Sequence, residues 1–424
     1  MVAGPAEDEL IMSKAPVAIV DPYSSGALLC EALVERGVPC LAVESYPSIP
    51  AALKKGYNRG AFIDVIRADD NFERTLDLVR QHQPTHVIAG FESGVELAEH
   101  LADQLGLPAN DPALREARRD KFLMCEAVKR HGLRTALQFR SSDVDEILNW
   151  TREMLDWPVI VKPPRSVGSD QVFCCQNSDE VRKAAVSILS DMNMLGASNT
   201  EAIVQEFLEG TEYVIDMVSV DAQPKLTAVW QYDRPKGARE FIAYDAMRLI
   251  PYDGQRQTAL RDYASEVLKA LGIRFGPSHC EMIWREDGPI LVEIGARLTT
   301  GMNAVLSRIC GGICHLDETV SAIMEPEMFL TTLDTQPELQ QYAANVFLVP
   351  PHPGKLIRTR HLEDLKALPT LHSMSVATQR GDELKRVAGL LILIGSDPGA
   401  IDRDIEIIRS CERDGIFEVE EHGA

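Results

Sequence analysis

Several things are scarce in this chain, and each scarcity closes a class of function. No apolar run approaches the roughly 18 residues of a membrane-crossing helix. Residues 1–14 carry neither a basic segment nor the long apolar core of a secretory leader, so a cytoplasmic protein with no membrane partner is expected. Basic residues are outnumbered, 43 Lys and Arg against 64 Asp and Glu, for a net charge of -21. That balance disfavours a surface that neutralises many phosphates along a nucleic acid, but it leaves room for a local basic pocket that takes a nucleotide. The nine cysteines are odd in number and scattered. Neither Cys174-Cys175 nor Cys310-x-x-x-Cys314-His315 comes with a second ligand pair at zinc spacing, so reduced thiols, mostly in cores, are expected. The first strand is not followed by G-x-G-x-x-G, which speaks against a dinucleotide cofactor. No Ser-His-Asp nucleophile constellation, internal repeat or low-complexity tract is legible.

What is present fits an α/β and α+β protein of two or three domains, with 424 residues and 45% hydrophobic content to fill the cores. Ala15–Val20 reads as a buried strand, followed by a loop at 21–26, a helix near Ala27–Arg36 and a strand at Pro39–Val43, which is a βαβ opening. A strand at His86–Gly90 leads through Phe91-Glu92-Ser93-Gly94 into a helix over Val95–Leu105, placing that loop at a strand's carboxyl end, where open α/β sheets bind ligands. Asn110-Asp111-Pro112 breaks the chain, and charged helical sequence runs from Pro112 to His131. The expected divisions are 1–111, 112–325 and 326–424. The middle part mixes strands at 159–162, 171–175, 202–207, 213–220 and 225–231 with helices near 178–192 and 258–271. The last part holds strands at 346–349 and 390–394 and a helix near 400–413.

The most informative residue is Glu293, a carboxylate inside the apolar run Ile290-Leu291-Val292-Glu293-Ile294, with Arg297 just beyond its end. Upstream, Pro277–Trp284 carries Glu281 among mostly apolar neighbours, and the turn Arg285-Glu286-Asp287-Gly288 would join the two strands as a hairpin. Carboxylates on adjacent strands are costly unless paired, so they suggest a magnesium site of oxygen ligands; salt bridges to Arg285 and Arg297 remain the plainer alternative. A second signal is the strand Val159-Ile160-Val161-Lys162 running into the small-residue loop Arg165-Ser166-Val167-Gly168-Ser169. Such a loop can turn backbone N–H groups toward phosphate oxygens while the lysine supplies a point charge. A third is Ala202–Tyr213, an apolar strand turning at Gly210 with acids on both sides, where extended backbone could meet an adenine edge and a carboxylate the ribose.

Taken in order, these residues resemble the ATP-grasp superfamily, and more narrowly its carboxylate-amine ligases of the L-amino acid ligase (dipeptide synthetase) type. The motifs are Arg119-Asp120-Lys121, Val161-Lys162-Pro163 with Ser166–Ser169, Gln205–Glu212, Glu281, and Glu293-x-Gly295-x-Arg297. The resemblance covers about residues 112–325, and the βαβ unit before it looks like the family's N-terminal domain. It implies an ATP-grasp fold with a C-terminal α+β segment, and a ligase that uses ATP and Mg2+ to join amino acids or related small acids through an acyl phosphate. It implies that Lys121 and Lys162 bind the ATP phosphates under Ser166, Gly168 and Ser169. Gln205, Glu206 and Leu208 would line the adenine pocket and Glu212 would hold the ribose. Glu281 and Glu293 would hold magnesium, and Arg297 would steady the transferred phosphoryl group. Many members have Asn where this chain has Gly295, so its metal shell would lean on the two glutamates and water. A homodimer is left open.

Weaker features have bland readings beside functional ones. The segment Gln231–Gly237 is a lid or a plain exposed loop, and His279 is more simply a packed strand histidine than a base. Glu92 either meets an amino group or stabilises the start of the next helix, and Thr299-Thr300-Gly301 either offers N–H groups to a carboxylate or simply begins a helix. The rivals to the ligase are an ATP-grasp enzyme acting on another carboxylate, of the nucleotide-pathway type, and a non-catalytic nucleotide-binding protein, which would not need the full set of lysines, acids and Arg297.

Overall fold

A computed structural model describes residues 14–54, 56–233, 246–384 and 387–420. The chain divides into two units, Met1–Ala109 and Asn110–Ala424, and among the described residues no helix is long and apolar enough to cross a membrane.

The first unit holds β1 (Val17–Val20), α1 (Ser25–Val34), β2 (Cys40–Glu44), β3 (Asp64–Arg67), α2 (Phe72–Gln81), β4 (His86–Ala89) and α3 (Val95–Gln104). The strands form one sheet in the order β3-β2-β1-β4, every pair parallel. Parallel strands covered on both faces should be apolar throughout, and β1 and β2 are buried at every position. Polar groups gather instead at the carboxyl ends. Asp21, just after β1 and fully buried, accepts the Ser45 N–H at 2.8 Å, the Ser45 hydroxyl at 2.6 Å and the Ser93 hydroxyl.

The second unit begins with α4 (Lys121–Arg130), then β5 (Gln138–Ser141), α5 (Val144–Met154), β6 (Val159–Lys162), β7 (Phe173–Cys175), α6 (Ser178–Ser190) and β8 (Ala202–Glu206). Here β5, β8, β6 and β7 make a small antiparallel sheet. Helices α5 and α6 cover one of its faces through Ile147, Val159, Val161, Val181, Ile188 and Val204. Strand alternation therefore turns Lys162 and Gln205 to the other face.

The chain continues as β9 (Thr211–Val220), β10 (Gln223–Asp233), β11 (Ala246–Ile250), α7 (Gln255–Ala270), β12 (Gly276–Arg285), β13 (Gly288–Gly295), α8 (Asn303–Ile309), α9 (His315–Met324) and α10 (Pro326–Leu330). It ends with β14 (Tyr342–Leu348), β15 (Gly354–Thr359), α11 (Leu362–Lys366), β16 (Leu371–Val376), β17 (Glu383–Leu384), β18 (Gly389–Gly395), α12 (Pro398–Arg413) and β19 (Phe417–Val419). A large antiparallel sheet runs β13-β12-β9-β10-β11-β14-β18-β16, and β17-β15-β19 form a small one. Residues of α4 and α7, among them Met124, Val128, Leu260, Ala264 and Val267, share a core with Ile215, Met217, Cys280, Met282 and Leu291 of the large sheet. The segment after Glu325 adds β14, β18 and β16 to that sheet and packs α12 over them through Ile401, Ile405 and Ile408.

Some expectations change in detail. The helical stretch expected from Pro112 to His131 is two 3-10 turns followed by α4, because Asp120 leaves the helical region to cap α4, accepting the N–H groups of Phe122 and Leu123. The strand expected at 171–175 starts only at Phe173, since Gln171 has φ of +53°.

Candidate active site

The hairpin of β12 and β13 sets Glu281 directly opposite Glu293. A bulge follows: Met282 pairs with Leu291, so Val292 is the extra residue on β13. Like charges facing each other across a ladder repel, and both side chains are partly buried, so cations close by are needed to hold the arrangement. One is Lys121, whose Nζ lies 3.2 Å from Glu293 Oε2. Another is His279, whose Nε2 lies 3.5 Å from Glu281 Oε1. Burial pushes the Glu281 carboxyl up, but His279, Arg297 and Lys121 outweigh it and hold the group below its ordinary range. Two opposed carboxylates with cationic groups beside them make an oxygen donor set that suits a hard divalent cation such as magnesium.

Lys121 also ties the two sheets together. It is the first residue of α4, its N–H donates to Pro164 O at 2.9 Å, and its Nζ donates to Ser166 O at 3.0 Å. The loop after β6 is fixed from within: Ser166 Oγ donates to Asp170 Oδ2 at 2.7 Å, the Asp170 N–H donates to Val167 O at 3.1 Å, and Asp170 also accepts the Met194 N–H. At its tip Gly168 and Ser169 are both left-handed, with φ of +61° and +57°. Only glycine adopts that region freely, and with the Asp170 N–H bonded to Val167 O the two residues form the centre of a tight turn.

Lys162 ends β6 on the same side. Its Nζ donates to Gln205 Oε1 at 2.9 Å. Burial pushes its ammonium pKa down; the Glu293 and Glu281 charges work against that shift and Lys121 adds to it. Gln205, expected at the adenine pocket, thus has its side-chain oxygen on Lys162, with its Nε2 3.9 Å from Cys125 Sγ. Glu206 lies at the edge, 4.0 Å from Arg285, and Leu208 packs with Ala136, Ile283, Ile290 and Val292. Gly210 makes the turn into β9, where a Cβ would stand 2.2 Å from the Trp284 carbonyl oxygen. Glu212 is buried opposite Ile283.

One of the two arginines sits apart from its plainer alternative. Arg285 lies 4.0 Å from Glu206 and 3.9 Å from Asp287, not against Glu281 or Glu293. Arg297 donates to Leu298 O at 2.8 Å, and its charge helps keep Glu281 ionised. Of the suggested lid, Arg234–Gly237 lie outside the described residues, and Gln231–Asp233 belong to β10. Glu92 is buried in a 3-10 turn of the first unit, and Thr299 is buried ahead of α8. A cavity of about 420 Å3 bounded by Glu126, Lys129, Leu133, Arg134, Trp150 and Met154 contains none of the site residues.

Sequence reasoning passed over Asp216. It lies mid-strand in β9 among Val214, Ile215, Met217 and Val218, fully buried. A lone acid inside an apolar strand is the signal that Glu293 gives, and it was available here too. The row Asp216–His279–Gly295 crosses three strands beside the row Val214–Glu281–Glu293, and alternation places both on one face.

A family model described as an ATP-grasp domain matches residues 155–304. The chain is similar to dapdiamide A synthase of Enterobacter agglomerans, with 28% identity over 96% of this chain and 97% of that one. Its fold is that of the L-amino acid ligase from Bacillus licheniformis, with a TM-score of 0.72 and 18% identity, over 97% of this chain and 100% of the other. The fold is also shared with the N5-carboxyaminoimidazole ribonucleotide synthetase of Thermotoga maritima, with a TM-score of 0.66 and 18% identity over 96% of this chain and 100% of that one.

Proposed function

We propose that this chain, which belongs to the ATP-grasp superfamily and is one of its ATP-dependent carboxylate-amine ligases, joins the carboxylate of one amino acid or related small acid to the amine of another amino acid. The observation that carries the catalytic assignment is Glu281 facing Glu293 while Lys121 spans from Glu293 to the loop after β6.

The chemistry follows from a poor electrophile. A carboxylate resists attack by an amine, so a carboxylate oxygen first attacks the γ-phosphorus of ATP, the bond to the bridging oxygen breaks, and ADP leaves an acyl phosphate. The amine then attacks the acyl carbon, the C–O bond to phosphate breaks, a proton leaves the nitrogen, and the amide and inorganic phosphate remain. In this reading Lys162 and Lys121 hold the phosphates, Gln205 aims the Lys162 ammonium, and the turn at Ser166, Gly168 and Ser169 covers them with backbone donors. Glu206 and Leu208 border the adenine and Glu212 takes the ribose. Glu281 and Glu293 would hold magnesium, which when bound supplies positive charge against the phosphate oxygens. Arg297, at the end of β13, steadies the transferred phosphoryl group. Residues 112–325 carry this machinery, with 1–111 and 326–424 on either side. The enzyme works in the cytoplasm on small molecules, consistent with its free cysteines, and a homodimer is the assembly we propose to test.

The test is phosphate release from ATP and magnesium against single and paired amino acids, with products identified by mass. Release that needs a pair, with a product lighter than the sum by one water, establishes the substrates. A second reading, a nucleotide-pathway carboxylate, draws on the shared fold of the carboxyaminoimidazole enzyme. No release with any amino-acid pair, and release on adding such a carboxylate, would select it.

A further inference from the structure

Behind the carboxylate pair lies a buried chain of polar groups, hydrogen-bonded from Trp230 to His279 and ion-paired from His279 to Glu281, that the proposed reaction does not use. Asp216 Oδ2 accepts the Trp230 indole N–H at 2.8 Å, and Asp216 Oδ1 lies 2.6 Å from His279 Nδ1. The other ring nitrogen of His279 faces Glu281 Oε1 at 3.5 Å. A carboxylate only accepts, so an imidazole between two of them donates from both nitrogens. Gly295, opposite His279 on β13, contributes no side chain to this row.

The same aspartate borders a second histidine. His315 Nε2 faces Met217 O at 3.1 Å and must donate there, which leaves Nδ1 to accept the Thr299 N–H at 3.5 Å, two residues past Arg297. Its Nδ1 lies 3.9 Å from Asp216 Oδ1. Asp216 therefore touches the support of Glu281 on one side and of the segment after Arg297 on the other.

We infer that Asp216 and His279 are positioning residues: Asp216 locks the imidazole of His279, and His279 Nε2 holds Glu281 so that its remaining lone pairs face the cation shared with Glu293. The inference rests on reading Glu281 as a metal ligand. Ligand carboxylates oriented by an outer hydrogen bond lose metal affinity when that bond is removed, typically about 10- to 100-fold.

The experiment measures Mn2+ binding to the full chain in the presence of ADP, from the paramagnetic resonance of free Mn2+, with melting temperature recorded for each variant. His279→Asn keeps a donor near the Nδ1 position, toward Asp216, and loses the reach to Glu281. His279→Gln keeps a donor near the Nε2 position. The expected result is that Glu281→Gln weakens Mn2+ binding, His279→Asn weakens it roughly 10- to 100-fold, and His279→Gln weakens it less. The double variant His279→Asn/Glu281→Gln should bind no more weakly than Glu281→Gln alone, since a residue acting through another adds nothing once that other is gone. A purely structural role would instead make Mn2+ affinity follow melting temperature, with additive losses, and would overturn the inference. Wild-type affinity in folded His279→Asn, with Glu281→Gln impaired, overturns the inference and leaves the metal site standing. Wild-type affinity in Glu281→Gln removes the metal assignment and the inference with it. Should His279→Asn not fold, Asp216→Asn gives the same reading: weakened Mn2+ binding with unchanged metal-free ADP binding supports the inference, and unchanged Mn2+ binding overturns it.

Discussion

The parallel sheet of the first unit and the β9-β12-β13 portion of the large sheet handle polar groups in opposite ways. In the first, β1 and β2 are apolar at nearly every position, and the buried acid Asp21 sits past a strand end, satisfied by Ser45 and Ser93 from neighbouring loops. In the second, Asp216, His279, Glu281 and Glu293 sit inside long strands, with register fixing which faces which. Loops tolerate change, whereas a ladder holds side chains at set spacings, so chemistry that needs charges at fixed separations gains from being written into strands. An acid at a strand end should then report on stability, and an acid within the ladder on turnover.

The largest effect that would test this contrast is expected from Glu293→Gln. It should all but abolish turnover, a loss of about 100- to 1,000-fold if the lost charge matters as much as one oxyanion-hole donor does, with the melting temperature retained. Full activity in a folded variant would remove Glu293 from the site. Next is Lys162→Ala, which deletes a charged donor worth about 1.5–3 kcal/mol and should weaken ATP binding about 10- to 100-fold by calorimetry; unchanged affinity would take Lys162 off the phosphates. In the first unit, Asp21→Ala strands the donors of Ser45 and Ser93 and should cost about 1–3 kcal/mol of that unit's stability, seen as a lower melting temperature, while Mn2+ binding stays at the wild-type level. A loss of Mn2+ binding there would erase the contrast.

The smallest effect concerns pH. Burial holds the His315 pKa down to about 4 from an ordinary 6.5, with the Asp216 charge opposing the shift and that of His279 adding to it. Between those values the unfolded chain binds a proton that the folded chain refuses, so this histidine's stabilising effect is complete above pH 6.5 and is lost as pH falls toward 4. The melting temperature of His315→Gln, which keeps a donor for Met217 O, should therefore fall less steeply over that window than that of the wild type. Parallel curves would mean that His315 is protonated in the fold.

Much of this site was legible because ionised groups in apolar strands are rare enough to be informative singly. Lys162 and Glu293 could be placed on strands, and the turn at Arg285–Gly288 made the two acid-bearing strands a hairpin; a regular pairing from that turn would set Glu281 opposite Val292, and only the bulge brings Glu293 across from it. Asp216 gave the same local signal, but its meaning comes from Trp230, His279 and His315, brought together only by pairing across strands and helices. Gln205 shows the limit from the other side: its strand was readable, but whether its amide met a nucleotide or Lys162 depended on the antiparallel pairing of β6 with β8. The short pieces were also hidden. β17 has two residues and β19 three, too few for any period to emerge, and β3 is apolar mainly at Val65 and Ile66. Helix α2 buries only Thr75, Leu76 and Val79, a narrow face among charged neighbours.

Lys121 has one ammonium and two claims on it, the Ser166 carbonyl and the Glu293 carboxylate. In the proposed phosphate role, an incoming phosphate would be a third claimant competing with Glu293. Each step it won would leave that glutamate short of a counter-charge and so raise its appetite for a divalent ion. By the reciprocity of linked equilibria, the ion must favour the phosphate by the same factor. Under the proposed roles, a single lysine at the start of a helix would make nucleotide and cation recruit one another, without any moving part larger than its own side chain.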